Sequence, residues 1–189
     1  DINGDEHDKW DEAILPVDAP LAGKKGVYEG ERHLTDDKLV SFVSAIRRKV
    51  GPKGVVYVVL DACFSGDSSR GDDEFIRGSQ KAFTRNGYVV IKPKNRANRK
   101  VRTFARLDCP SGYSHVTYLE ACQSDEVNTE IIDASKRKHY GPLSLHIATY
   151  LSTHKMDAAG AWVKAIRTQM KQDSRVMYQN MKIESSIIK

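Results

Sequence analysis

The sequence predicts an α/β protein with a mostly parallel β-sheet flanked by helices. Two apolar runs, VVYVVL (55–60) and HVTYLEA (115–121), have the composition of core strands, and the first is continuous, as in a strand covered on both faces. Helical patterns precede and follow them. Strands alternating with helices indicate a parallel sheet. The 189 residues, 40% of them apolar, are predicted to form a single domain over residues 1–189.

The first helix is predicted for residues 36–49. Thr35 suits the N-cap, Asp36 and Asp37 occupy the first turn, and Gly51-Pro52 ends the helix. Four apolar residues share one of its faces: Leu39, Phe42, Val43 and Ile46.

The remaining elements follow from local patterns. Segments 88–92 and 101–107 flank a basic turn and predict an extra β-hairpin at about 88–107. Helices are predicted at 141–154 and 157–172, the second with a core stripe of Trp162, Ile166 and Met170. Segment 176–184 is predicted to be a short edge strand.

Charge and composition exclude several functions. The formal net charge is +5, with seven acids in residues 1–18 and seven bases in residues 92–106. Phe104 is the only aromatic residue in the basic run, and binding of single strands usually needs several aromatic side chains on which bases stack, so we expect no nucleic-acid partner. No run of 18 apolar residues exists, so we expect no membrane span. The first residue is Asp1 rather than Met, which leaves an upstream signal and the localisation open.

The three cysteines lack any C-x-x-C spacing and are odd in number, which disfavours a disulfide framework or a zinc site. Reactive groups of α/β proteins gather where strands end, and Cys63 and Cys122 each follow a predicted strand. We expect Cys109 and Cys122 to be buried structural residues. For Cys63, the neighbouring Asp61, Ser65, Gly66 and Asp67 favour an exposed, polar setting over a buried one.

The string LDACFSGDSSRG (60–71) resembles the nucleophile segment of the metacaspases and related bacterial caspase-like cysteine peptidases. Four more blocks resemble that family in the same order along the chain: 3–18, 33–39, 118–130 and 136–151. The resemblance implies a caspase-like fold and an endopeptidase that cuts after Arg or Lys through a Cys-His dyad.

The resemblance also implies roles for individual residues. Cys63 matches the nucleophile, and its backbone N–H is expected to help hold the oxyanion. Asp61 matches the acid of the S1 pocket, where a carboxylate pairs with a basic side chain of the substrate. Asp125 is a second candidate acid, with a loop or helix-capping role as the equal alternative.

The catalytic histidine of the family is missing from this chain. The family carries it in a His-Gly segment, and no His-Gly dipeptide occurs in the 189 residues. We therefore expect the base to come from an upstream His-bearing segment or chain, and we expect this chain alone to be inert. His146 is the one histidine expected on a packed surface, as a satisfied core residue.

Calcium is the cofactor that the resemblance implies. In the family, acids of the first loop and of the next helix start hold the ion, which here indicates Asp11 with Asp36 and Asp37. Acids at a helix N-terminus that favour the helix dipole without any metal are the alternative. Asp1, Asn3, Asp5 and Glu12 match EF-hand spacing, but Glu6 and Lys9 disfavour that motif.

The sequence suggests three functions. The first is an Arg- or Lys-directed cysteine peptidase acting on peptides or proteins, with calcium-stimulated self-cleavage at a basic residue between Arg70 and Arg106. The second is a catalytically inactive caspase-like module that binds partners, although such a module would be expected to have lost Cys63 or Asp61. The third is an esterase suggested by SGDS (65–68), which lacks the later Asp-x-x-His that such enzymes need.

Overall fold

The computed structural model describes residues 12–63, 76–79, 81–90, 103–123, 126–133, 135, 137–157, 160–176 and 179–188. No helix within these ranges is long and apolar enough to cross a membrane.

The described residues form short strands in four sheets, three helices and one 3-10 turn (Ser174–Val176). The helices are α1 (Asp36–Val50), α2 (Pro142–Leu151) and α3 (Ala161–Gln172). The strands are β1 (Ala13–Ile14), β2 (Leu34–Thr35), β3 (Val55–Leu60), β4 (Lys81–Thr84), β5 (Gly87–Val90), β6 (Phe104–Arg106), β7 (His115–Glu120), β8 (Ile131–Asp133), β9 (Lys138–Tyr140) and β10 (Lys182–Ser185).

The main sheet has four strands in the order β3-β7-β10-β6. β3 runs parallel to β7, with Val55 opposite His115 and Leu60 opposite Glu120. β10 is parallel to β6 and antiparallel to β7. Two of the three pairings are parallel, so the predicted α/β class with a mostly parallel sheet is confirmed.

The core lies between this sheet and helices α2 and α3. Leu119 of β7 and Trp162 and Ile166 of α3 are almost fully buried. The Trp162 ring packs edge-on against Tyr57 of β3, with ring centroids 4.9 Å apart. The predicted core stripe on the second C-terminal helix is therefore confirmed.

Helix α1 begins as predicted, because the Thr35 side chain accepts a hydrogen bond from the Lys38 N–H at 3.4 Å. Its apolar face is only partly covered. Val43 is buried, whereas the side chains of Phe42 and Ile46 are 59% and 50% exposed.

The predicted hairpin at 88–107 is wrong. β5 pairs instead with β4 (Phe83 opposite Tyr88), while β6 joins the main sheet beside β10. The two-residue turn Arg85-Asn86 closes the observed hairpin, and Gly87, the first residue of β5, has a φ of 132° that a side chain would strain. The basic turn at 91–102 lies outside the described residues.

Two other expectations are corrected. β10 is not an edge strand, because it lies between β7 and β6. α3 begins at Ala161 rather than near 157, because Gly160 has a left-handed φ of 74°. The Asp157 carboxylate accepts hydrogen bonds from the N–H groups of Ala161 and Trp162 and so caps the helix.

Candidate functional site

The carboxyl ends of β3 and β7 meet at one edge of the main sheet, and both predicted cysteines lie there. The Ala121 N–H donates to the Leu60 carbonyl at 3.0 Å, which continues the strand pairing past the strand ends. Cys63 and Cys122 are both buried. A hydrogen bond between the Cys122 and Cys63 thiols, together with burial, raises the pKa of Cys122 well above its usual range. The two cysteines that follow predicted strands therefore lie at one edge of the sheet, with their thiols in contact.

Residues 76–79, which we call the covering segment, run alongside Cys63. The Cys63 N–H donates to the Arg77 carbonyl at 2.8 Å, and Cys63 forms a parallel bridge with Gly78. On the other side of the covering segment, the Arg77 N–H donates a hydrogen bond to the Asn128 carbonyl at 2.9 Å. The segment is therefore held between the end of β3 and the chain that follows β7.

Gly78 is required where the covering segment passes the thiol. A Cβ on Gly78 would overlap the carbonyl oxygen of Cys63 and lie 2.5 Å from its Sγ. No side chain fits this gap, so the main chain of the segment lies directly against the sulfur.

These contacts correct two expectations for Cys63. The residue is 5% exposed rather than open to solvent, because the covering segment lies over it. Its N–H, expected to stabilise an oxyanion, is already bonded to the Arg77 carbonyl. The polar sequence after Cys63 did not indicate this, because the covering residues begin 13 positions later in the chain.

Asp61 lies beside the N-terminus of α2. Its Oδ2 accepts a hydrogen bond from the Ser144 N–H at 2.8 Å, and its Oδ1 accepts one from the Asn128 side chain at 3.0 Å. A Cβ on Gly141 would overlap Oδ2, so glycine permits this close approach. The carboxylate therefore satisfies backbone donors of α2 and favours the helix dipole. The contact that Asp61 makes with an arginine is through its main chain, whose carbonyl accepts from Arg77 Nε at 2.7 Å.

Glu130 is the carboxylate that meets the Arg77 guanidinium. Its Oε1 accepts from Arg77 NH1 at 2.8 Å, and its Oε2 lies 3.0 Å from His139 Nδ1. The Glu130 side chain is 19% exposed, so this charge-assisted bond is partly shielded from water. Sequence reasoning missed Glu130. The signal was present in SDEVNTE (124–130), which carries three acids after β7, whereas the resemblance indicates only Asp125.

The other predicted site residues are spread over the chain. Asp36 and Asp37 occupy the first turn of α1, a different element from the one that carries Cys63. Asp11 and Asp125 lie outside the described residues. Among the residues that the structure does describe, no group of three or more His, Cys, Asp or Glu is placed to hold a metal ion.

Cys109 and His146 each lie beside a charged side chain. Cys109 is exposed, contrary to expectation, and its Sγ lies 3.8 Å from Arg47 NH2. The side chain of His146 is largely buried, as expected, and its Nε2 lies 3.2 Å from Asp173 Oδ2 at ion-pair distance without hydrogen-bond geometry.

Comparison of the chain with protein-family models, with curated proteins and with solved structures gave no match. The functional argument therefore rests on the chemistry of the described residues.

Proposed function

We propose that this chain is the cysteine-bearing part of a caspase-like peptidase that cuts peptide bonds after Arg or Lys. The observation that carries the proposal is an arginine held beside a strand-end thiol. The Arg77 carbonyl oxygen accepts a hydrogen bond from the Cys63 N–H. The Arg77 side chain donates hydrogen bonds to the Asp61 carbonyl and to the Glu130 carboxylate. A basic residue of a substrate would be recognised by the same acceptors.

Cys63 is the nucleophile in this proposal. A base removes its proton, because the thiolate is the reactive form, and the same base later protonates the leaving amine. The Cys63 N–H would stabilise the developing oxyanion once the position of the Arg77 carbonyl is taken by the reacting carbonyl. Asp61 keeps the adjacent main chain and the start of α2 in place, and Asp125 remains a candidate second acid.

The base is proposed to come from a His-bearing segment that pairs with β3. Within the described part of the chain, β3 has one neighbour in the main sheet, β7, so its other edge is available to pair with an added strand. Val59 of β3 is 41% exposed, and Phe42 and Ile46 of α1 are also exposed. An added strand would satisfy the second edge of β3 and bring its own carboxyl end to the edge that carries Cys63.

Calcium is retained as a prediction and has no step in this mechanism. The described residues supply only Asp36 and Asp37 of the three acids implied by the resemblance, and two acids in a helix first turn also favour the dipole without a metal.

The test is peptidase activity of the full gene product that includes the His-bearing segment. We expect peptides ending in Arg or Lys before a fluorogenic amide to be cleaved, and Cys63→Ala to abolish cleavage, because the thioester cannot form. Cys109→Ser is the matched control and should retain activity, because Cys109 lies elsewhere on the surface. Cleavage after Asp, or full activity in Cys63→Ala, would contradict the proposal.

A catalytically inactive, partner-binding module is the second candidate. The burial of Cys63 beneath the covering segment favours it. The two candidates differ in one result, because an inactive module would give no Cys63-dependent cleavage of any Arg or Lys peptide after the His-bearing segment is supplied.

A further inference from the structure

We infer that Cys63 and Cys122 are a redox-active pair, which forms a reversible disulfide when a hydroperoxide oxidises the folded protein. This inference goes beyond the proposed peptidase function and does not depend on it, because the bond between the two sulfurs is detectable whether or not the protein cuts peptides.

The pairing of β3 with β7 brings the two cysteines within the span of a disulfide. The strands are parallel, with Leu60 opposite Glu120. The same register two residues further on sets Cys122 beside Ala62, and Cys122 Sγ is 3.9 Å from the Ala62 carbonyl oxygen. With strands about 4.8 Å apart and an advance of about 3.3 Å per residue, the Cα atoms of Cys63 and Cys122 would be about 5.8 Å apart. Disulfides usually span about 4.4 to 6.8 Å between Cα atoms.

The two side chains also meet. The Cys63 and Cys122 thiols are hydrogen-bonded to each other, and both residues are buried. That hydrogen bond and burial raise the pKa of the Cys122 thiol, so Cys122 stays protonated at neutral pH. Because the thiolate is the form that attacks an oxidant, the first oxidation step is assigned to Cys63.

The remaining cysteine is too far away to take part. Cys109 Sγ is 3.6 Å from the carbonyl oxygen of Ser114, the residue that precedes β7. Cys122 lies beyond the other end of this six-residue strand, so roughly 20 Å separates Cys109 from the pair at about 3.3 Å per residue. Cys109 is exposed, which makes it an internal control for reaction without a partner.

The proposed reaction consumes one hydroperoxide and releases two waters when the oxidant is hydrogen peroxide. The Cys63 thiolate attacks a peroxide oxygen, the S–O bond forms, the O–O bond breaks, and the departing hydroxide takes up the proton that the thiol lost. The Cys122 sulfur then attacks the sulfur of the Cys63 sulfenic acid. The S–S bond forms and the S–O bond breaks, with loss of a second water that carries the Cys122 proton. The two thiols lose two electrons in total, and the peroxide gains them.

The disulfide would both block and preserve Cys63. A sulfur held in a disulfide has no thiolate form, so it cannot be alkylated or attack a peptide until a reductant restores it. A sulfenic acid with no thiol beside it is instead oxidised further to sulfinic acid, which thiol reductants do not reverse. Cys122 is therefore assigned as the resolving cysteine of the pair.

The first experiment maps the disulfide in the full gene product. Reduced protein is treated with hydrogen peroxide, its remaining thiols are alkylated in denaturant, and the unreduced digest is analysed by mass spectrometry. We expect the Cys63 peptide linked to the Cys122 peptide, absent before peroxide and removed by dithiothreitol, with Cys109 outside the link. Recovery of Cys63 and Cys122 unlinked, whether alkylated or further oxidised, would overturn the inference.

The second experiment tests the resolving role by comparing Cys122→Ala with Cys109→Ala as the matched control. After peroxide and then dithiothreitol, we expect Cys63 to return to the thiol in the unaltered protein and in Cys109→Ala. Cys122→Ala should accumulate several-fold more sulfinic acid at Cys63. Equal recovery in both variants would overturn the resolving role. Thermal unfolding shows that each variant is folded, and the first experiment needs no variant.

The outcomes separate this inference from the proposed function. A peroxide-induced link without any Cys63-dependent hydrolysis would support this inference and overturn the proposed function. Hydrolysis of an Arg peptide that peroxide stops and dithiothreitol restores, together with the link, would support both. Hydrolysis of an Arg peptide with no link after peroxide would overturn this inference alone.

Discussion

Cys63 illustrates how main-chain contacts decide the surroundings of a reactive side chain. Its sulfur is adjacent to Cys122 and to a glycine, and its N–H is bonded to the Arg77 carbonyl. The hydrogen bond with Cys63 and burial raise the pKa of Cys122, which keeps the Cys122 thiol protonated at neutral pH. Any activity of Cys63 therefore depends on displacement of the covering segment.

Gly78→Ala should displace the covering segment from Cys63. The added Cβ would overlap the Cys63 carbonyl oxygen, and that oxygen belongs to main chain that cannot rotate away. We expect faster labelling of Cys63 by iodoacetamide, measured by peptide mapping. Ser79→Ala, which alters the same segment without a clash, is the control. Unchanged labelling of Cys63 in Gly78→Ala would show that the segment does not protect the thiol.

At the scale of elements, Asp173 connects the C-terminus of α3 with the middle of α2 and with the 3-10 turn. It follows α3, its carboxylate is bonded to Arg175 in the turn, and it lies 3.2 Å from His146 of α2. The hydrogen bond from Arg175 lowers the pKa of Asp173 from its usual 3.8 to about 2. The folded protein therefore favours the ionised form of the Asp173 carboxyl group.

The lowered pKa predicts a contribution to stability that depends on pH. Because the pKa of the folded state is below that of the unfolded chain, the contribution is complete above about pH 4. It is lost as the pH falls from there through about 2. We expect Asp173→Asn to reduce the free energy of unfolding at pH 7 and to flatten its fall between these values. Urea unfolding at several pH values measures this.

The control for Asp173 is Asp18→Asn, which alters an exposed ion pair with Arg32. It should leave both the free energy of unfolding and its pH profile nearly unchanged. If Asp173→Asn and the unaltered protein lose stability in parallel between pH 4 and 2, the Asp173 carboxylate does not contribute to the pH dependence of stability.

At the scale of the whole molecule, β3 has one neighbour in the described sheet, β7, and helix α1 exposes Phe42 and Ile46. At the other end of the described sheet, β6 also has one neighbour, β10, whereas β7 and β10 each have two. Buried apolar residues concentrate between the sheet and α3, around Leu119 and Trp162. The proposed His-bearing segment would pair at the β3 end of this sheet.

Calcium binding is tested on the whole protein by its effect on thermal unfolding. If Asp36 and Asp37 help to hold the ion, calcium should raise the Tm, because a ligand of the folded state stabilises it by mass action. The rise should be absent in Asp36→Asn/Asp37→Asn, whereas Asp18→Asn should keep it. An equal Tm with calcium and with chelator would contradict calcium binding.

Local patterns predicted much of the fold. The Thr35 cap, the strand at 55–60 and the buried stripe on α3 depend on residues close in sequence, and the structure has all three. The predicted hairpin is wrong because β5 pairs with the preceding β4 across Arg85-Asn86, whereas the prediction places the turn in the basic run that follows β5. The central place of β10 was not predictable from its own residues, since strand order depends on which segments meet across the sheet.

The sequence by itself determined the class of fold, the position of Cys63 at a strand end and its proximity to Cys122, because these depend on apolar periodicity and on parallel strands ending at one edge. Only the tertiary structure decided that Cys63 is buried, that the Asp61 carboxylate binds the start of α2, and that Glu130 meets an arginine. These contacts join segments far apart in the chain: Cys63 with Gly78, Asp61 with Ser144, and Arg77 with Glu130. Hydrogen bonds of that kind are fixed by the packing of the whole sheet, so no local pattern carries them.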